Sequence, residues 1–229
     1  MAIYACSDLH GRYDLYQKIK AFINEDDYII FLGDACDRGP DGWKLVKAIY
    51  EDEQFIYIKG NHEDMLVRAG REYFRFEETR AMMHLISNGG RNTWDAFIAD
   101  PDARIWIERL DDLQEIFFCL NKNQGLVLVL THAGYTPHPH IGEEYLWNRE
   151  HFLDPWPEGP VYENIVMIHG HTPIALMDEE VLKANDYDEE EPGAFWYCDN
   201  HKVNLDVGSV WNDYAVLLNL DTLDEEIIY

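Results

Sequence analysis

Five short motifs gather the residue types that hold metal ions or move protons. In chain order they are Asp8-Leu9-His10, Gly33-Asp34-Ala35-Cys36-Asp37-Arg38-Gly39, Gly60-Asn61-His62-Glu63, Thr131-His132-Ala133-Gly134 and His169-Gly170-His171-Thr172. In the first, the i and i+2 side chains of Asp8 and His10 reach one ion if the chain is extended there. The glycines let the backbone turn sharply beside these groups. Each motif alone has an ordinary reading. A D-x-H tripeptide occurs by chance, a histidine at a strand end is commonly a hydrogen-bonded core residue, and Asn61 would serve as a helix N-cap. The ordered set would need five separate accidents.

The motifs must be positioned by strand ends. Short apolar runs at 3–6, 28–32 and 55–58 read as buried strands, with helices at 13–23 and 43–50 between them, so the chain opens as α/β. In the second helix Trp43, Val46 and Tyr50 share a face, and Asp41 is the expected N-cap. From 64 to 109 the pattern turns helical and charged, broken by Gly89-Gly90 and by Pro101 at a helix start, which predicts a helical insertion. Strands resume at 115–120, 126–131, 166–169, 203–206 and 215–219 without regular helices between them, so the later sheet should be mixed or antiparallel. All five motifs then follow the C-terminal ends of strands, where open α/β sheets place their sites. The acidic run 186–191 reads as a solvated loop.

Composition narrows the function. The chain has 229 residues, 47% of them apolar and 14% aromatic, enough for a sizeable core in one domain spanning 1–229 and incompatible with a disordered or collagen-like polymer. Eighteen Lys and Arg against 44 Asp and Glu give a net charge of −26, which repels phosphate backbones and anionic membranes. A phosphorylated substrate would need local positive charge, which a bound metal pair supplies. Cys6, Cys36, Cys119 and Cys198 lack paired spacing, as expected of reduced thiols, and the N-terminal residues lack a basic segment followed by a long apolar run; the expected location is cytoplasmic.

Taken in order, D-x-H, G-D-x-x-D-R-G, G-N-H-E, H-A-G and G-H-T resemble the calcineurin-like metallophosphoesterases, and within them the compact bacterial and bacteriophage-lambda-type serine/threonine protein phosphatases. The resemblance runs from Asp8 to about Gly208 and takes in Asn88-Gly89-Gly90 with Thr93, and Trp147-Asn148-Arg149. It implies two mixed β-sheets packed as a sandwich flanked by helices. It also implies a two-metal centre, with Asp8, His10 and Asp34 on one ion, Asp34, Asn61, His132 and His171 on the other, and Asp34 bridging. Such ligands suit two Mn²⁺ ions, or Fe or Zn²⁺, better than an all-oxygen Ca²⁺ site. Ions about 3.5–4 Å apart hold a bridging hydroxide as nucleophile. By the same resemblance His62 donates a proton to the leaving alkoxide, Asp37 orients it and stabilises its protonated form, and Arg38 and Arg149 grip phosphate oxygens. For Arg149 an exposed salt bridge is the competing reading.

His169, Cys36 and Asp206 are assigned structural places; Pro173 stands where some relatives have the last histidine of G-H-x-H. His138 and His140 either face the cleft or decorate a loop. The implied activity is metal-dependent phosphomonoester hydrolysis on phosphoserine or phosphothreonine in a protein, or on a small phosphoester, with the oligomeric state left open. The alternative is hydrolysis of diadenosine tetraphosphate or another nucleotide; Asp37 argues for the phosphatase branch, because the dinucleotide hydrolases commonly lack an acid there. A non-catalytic phosphopeptide-binding module would be expected to have lost a ligand or His62, and an acidic cation buffer would not explain the ordered histidines.

Overall fold

The computed structural model describes residues 1–76, 79–135 and 144–229. The first half runs β1 (Ile3–Cys6), α1 (Tyr13–Phe22), β2 (Tyr28–Phe31), α2 (Gly42–Glu51), β3 (Phe55–Tyr57), then four helices, α3 (Asn61–Phe76), α4 (Arg80–Ser87), α5 (Arg91–Ile98) and α6 (Ala103–Asp111). The second half runs β4 (Ile116–Asn121), β5 (Leu126–Thr131), α7 (Glu144–Trp147), β6 (Ile165–His169), α8 (Glu179–Ala184), β7 (Phe195–Tyr197), β8 (Lys202–Asn204), β9 (Ala215–Asn219) and β10 (Glu225–Ile228). His138 and His140 lie outside the described residues. No described helix is long and apolar enough to cross a membrane.

Two five-stranded mixed sheets result, ordered β10-β9-β1-β2-β3 and β4-β5-β6-β8-β7. Each holds three neighbouring parallel strands, β1, β2 and β3 in the first and β5, β6 and β8 in the second, flanked by antiparallel strands. Successive side chains of a strand point to opposite faces. In the first sheet Ala5, Ile30, Leu32, Val216 and Leu218 therefore enter the layer between the sheets, where they meet Leu128, Leu130, Val166, Ile168 and Val203. Cys6, Ile29, Phe31 and Leu217 point the other way, into a second core with Leu15, Ile19, Leu45, Ile49 and Leu66 of the helices. A strand covered on both faces has no polar side, which is why β2 reads as an unbroken apolar run.

The insertion is anchored through aromatic edges. Trp43 of α2 meets Phe97 of α5 at 5.1 Å and Trp106 of α6 at 5.3 Å, and Tyr50 meets Trp106 at 5.1 Å. Three details differ from the sequence reading. Asp41 precedes α2, but its side chain makes no capping bond. The insertion begins at Asn61, so the G-N-H-E motif opens its first helix. The later half does contain helices, α7 and α8, and two strands, β7 and β10, that short length and weak alternation conceal. The acids at 186–191 are exposed.

Candidate metal centre

All five motifs lie past the C-terminal ends of the parallel strands. Asp8 and His10 follow β1, Asp34 follows β2, Asn61 and His62 follow β3, His132 follows β5, and His171 follows β6. Two compact ligand groups form, His10 with Asp34 and His62, and Asp34 with His132 and His171. Asp34 belongs to both. Its Oδ1 stands 3.4 Å from His132 Nε2 and its Oδ2 3.5 Å from His10 Nε2, so each carboxylate oxygen faces a different group. Asp8 borders the first, with Oδ1 3.9 Å from His10 Nε2. His62, which the family resemblance keeps out of the ligand set, enters the first group through Nε2, 3.7 Å from Asp34.

Hydrogen bonding fixes which ring nitrogens offer lone pairs. A carbonyl can only accept, so His10 Nδ1 donates to Cys36 O at 2.8 Å and His132 Nδ1 donates to Leu32 O at 2.8 Å. Burial pushes the pKa of His10, His132 and His171 down, favouring neutral rings, so Nε2 of His10 and of His132 is an acceptor. His132 Nε2 then points a lone pair at Asn61 Oδ1, 2.7 Å away, while His171 Nδ1 lies 2.9 Å from that oxygen and 3.2 Å from His132 Nε2. His132 Nε2 and Asn61 Oδ1 are two acceptors facing each other, a contact that a cation between them would relieve. Burial, reinforced by the charges of Asp8 and Glu63, pushes the Asp34 pKa well up, and a cation would relieve that repulsion as well. Asp8 Oδ1 is buried without a hydrogen-bond partner. The residues present thus fit two divalent ions, and imidazole with carboxylate suits transition metals.

The backbone is bent hard to achieve this. Asp8, His10, Asp34, Asp37, Arg38 and His171 take φ values between 39° and 72°, in the left-handed region. Each costs on the order of 1 kcal/mol for a non-glycine residue. Glycines provide clearance. A Cβ on Gly60 would lie 2.2 Å from Asp34 Oδ1, and one on Gly170 would lie 2.1 Å from Asp8 Oδ2. That Asp8 oxygen accepts the His171 N–H at 3.0 Å and the Ser7 hydroxyl, tying the β6 loop to the β1 loop.

His62 and Asp37 form a buried pair, Nδ1 to Oδ2 at 2.7 Å. The Arg38 guanidinium reaches His62 Nε2 at 3.1 Å and also His10 Nε2. Arg149 is exposed and donates from Nε to the Thr172 hydroxyl at 3.1 Å, which brings it to the rim beside His171. Among the described residues no carboxylate pairs with Arg149. Trp147 covers His171 with ring centres 5.8 Å apart.

Two supports carry no role in the sequence reading. Glu63, fully buried, accepts the N–H groups of Asp34, Ala35, Cys36 and Gly60 at 2.8–3.4 Å and so clamps the β2 and β3 loops together. The Asn88-Gly89-Gly90 and Thr93 pattern braces the Asp37-Arg38 turn, with Gly89 O accepting from Arg38 N at 3.0 Å and Thr93 Oγ1 from Asp37 N at 2.9 Å. The other structural assignments are also placed. Cys36 is buried with its thiol pKa raised, and Asp206 is buried near Asp8 with its carboxyl pKa raised by burial.

Comparison with known proteins agrees with this geometry. Residues 1–207 match the calcineurin-like phosphoesterase family. The chain is 29% identical over 143 residues to the symmetrical bis(5'-nucleosyl)-tetraphosphatase of Buchnera aphidicola, a stretch covering 60% of this chain and 46% of that protein. It is 28% identical over 152 residues to serine/threonine-protein phosphatase 2 of Escherichia coli, covering 65% of this chain and 63% of the relative. The chain therefore spans about half to two thirds of the length of these curated relatives. The crystal structure of a metallophosphoesterase from Sphaerobacter thermophilus shares the fold, with a TM-score of 0.58 at 16% identity over 99% of this chain and 86% of that one. With nearly its whole length matched and its ligand groups at the expected strand ends, the chain belongs to the calcineurin-like phosphoesterase family.

Proposed function

We propose that the protein hydrolyses phosphomonoesters with the help of two divalent ions, Mn²⁺ being the preferred pair, and that its substrates are phosphoserine and phosphothreonine in proteins. The observation that carries this reading is the His62–Asp37 pair. When bound, the ions supply Lewis acidity and an activated water at neutral pH. Asp8, His10, Asp34, Asn61, His132 and His171 would hold them.

The remaining steps belong to the protein's side chains. Arg38 and Arg149 bind and orient the non-bridging phosphate oxygens, for which planar guanidinium groups are suited. His62 Nδ1 donates to Asp37, so Nε2 accepts from Arg38 in this structure and faces the cleft, where, once protonated, it would deliver that proton to the departing oxygen. The Asp37 carboxylate balances the positive charge the ring carries as a donor. A serine alkoxide needs that proton, so a buried acid pair matters most for alkyl phosphates such as phosphoserine. A groove beside the His171 loop, lined by Glu189, Glu190, Glu191, Tyr187 and Trp211, favours a basic peptide over a polyphosphate.

The similarity to the Buchnera tetraphosphatase favours a second reading, hydrolysis of a dinucleoside polyphosphate. Metal-reconstituted protein assayed side by side on phosphoserine, phosphothreonine and phosphotyrosine peptides and on diadenosine tetraphosphate separates the two. A kcat/KM higher on the tetraphosphate than on every peptide would replace the first reading with the second. His62→Asn should reduce phosphoserine hydrolysis about 100-fold more than hydrolysis of para-nitrophenyl phosphate, whose leaving group departs without a proton. Equal losses on both, with metal content unchanged, would remove His62 as proton donor.

A further inference from the structure

Beneath the second ligand group lies a buried cluster, His151, His169, Tyr197 and Lys202, that none of the steps above uses. We infer that Tyr197, with His151 and His169, positions the two loops that carry His132 and His171. His169 Nδ1 lies 3.0 Å from the carbonyl of Gly170, the residue before His171. His151 Nε2 lies 2.9 Å from the carbonyl of Ala133, the residue after His132. The Tyr197 hydroxyl stands between the two rings, 2.8 Å from His169 Nε2 and 3.3 Å from His151 Nδ1.

Proton counting sets the direction of each bond. Both carbonyls can only accept, so His169 carries its proton on Nδ1 and His151 on Nε2. The two remaining nitrogens, with the rings neutral, are acceptors, and they share one phenolic proton. The shorter contact takes it, so Tyr197 donates to His169 and locks the tautomer that holds Gly170. The Lys202 ammonium, bonded to the carbonyls of His151 and Asp154, places a positive charge beside both rings and disfavours a second one there. His151 is also wedged against the chain, since a Cβ on Gly134 would lie 2.4 Å from its Nε2. Partners outside the ligand shell orient metal-binding groups, and their loss commonly costs 10- to 100-fold in metal affinity or activity. Here the partners act through the backbone on either side of the ligands rather than on their rings.

The inference rests on the second ligand group and not on the choice of substrate, so the test reads metal binding. Metal-free protein is titrated calorimetrically with Mn²⁺. Tyr197→Phe, which removes only the hydroxyl, should weaken one of two binding events roughly 10-fold or more and leave the other within about 2-fold. In the variant, nitrogen NMR should show His169 losing its single-tautomer signature. His151→Gln, which can keep both a donor and an acceptor, should stay within about 3-fold of wild type, whereas His151→Leu should match the loss of Tyr197→Phe. These His151 variants decide the matter if Tyr197→Phe does not fold. Unchanged binding in Tyr197→Phe, or equal behaviour of His151→Gln and His151→Leu, would overturn the inference. A wild-type titration without a second event would overturn the ligand assignment and this inference with it.

Discussion

Replacing Glu63 by glutamine changes one oxygen to an NH₂ group and almost nothing else in shape. In the protein the two carboxylate oxygens are shared between four backbone donors: Oε2 takes Asp34 and Gly60 at 2.8 and 2.9 Å, and Oε1 takes Ala35 and Cys36 at 3.0 and 3.4 Å. A glutamine keeps one acceptor. Its favoured orientation spares the shorter pair, and the amide NH₂ then faces the N–H groups of Ala35 and Cys36, two donors opposing a donor. Each buried group left without a partner costs about 1–3 kcal/mol, so Glu63→Gln should destabilise the metal-free protein by about 3–4 kcal/mol. That is a large share of the stability typical of a domain. Urea unfolding of both metal-free forms measures it, with a lower midpoint and an unchanged slope as the expected result. Because the clamp holds the Asp34 backbone, both metal affinities should fall as well. A loss below about 0.5 kcal/mol would mean that these N–H groups find other acceptors, and the clamp would have to be abandoned.

Three further outcomes follow from the same geometry. Asp34→Asn should lower ion content at both positions, while Asn61→Ala should affect chiefly the second; mass spectrometry of the desalted variants decides, and full two-ion occupancy in the Asp34 variant would contradict bridging. Arg38→Ala should lower kcat/KM by about 30- to 1000-fold, the range expected for a clamp that strengthens in the transition state, and a neutral Arg149→Ala would return Arg149 to an ordinary surface role. Asp27 accepts from the backbone N–H groups of Ala2 and Asn24 and from the Asn24 side chain, which hold its pKa down to about 2 from 3.8. A pKa lowered by folding gives stability that is present above the unfolded value and lost as pH falls through the folded one. Asp27→Asn should therefore unfold at a lower temperature at neutral pH, with the gap closing between about pH 4 and pH 2; a gap independent of pH would refute the assignment.

The candidate ligand residues could be picked out because each sits in a short motif where an apolar run stops, and the run alone marks the strand end. The three parallel strands of the first sheet were legible for the same reason. β7 and β10 were not. Phe195–Tyr197 is too short to show alternation, and Glu225–Ile228 opens on two acids and exists through pairing with β9. Glu63 carried no role in the sequence reading, because its four bonds reach residues up to 29 positions away, which local pattern does not carry. The Asn88 to Thr93 pattern was visible as a motif, but its purpose depends on the insertion folding back on the Asp37 turn. His169 was placed as structural because Pro173 occupies the next ligand position, and its contact with Tyr197 depends on a strand the sequence did not announce.

One arrangement bears on how the protein reaches its folded state. The first three ligand-bearing loops rise from one sheet and those of His132 and His171 from the other, with contacts spanning 71 residues between Asn61 and His132 and 163 between Asp8 and His171. No half of the chain can assemble the second ligand group by itself. The group is complete only when the two sheets are docked, across contacts that are distant in the chain. An ion bound there selects the docked state over every looser one, adding about 2.7 kcal/mol when free metal exceeds its dissociation constant 100-fold. With ions bound, the centre would act as a rivet between two halves, and the free metal concentration around the protein would set how firmly they stay joined.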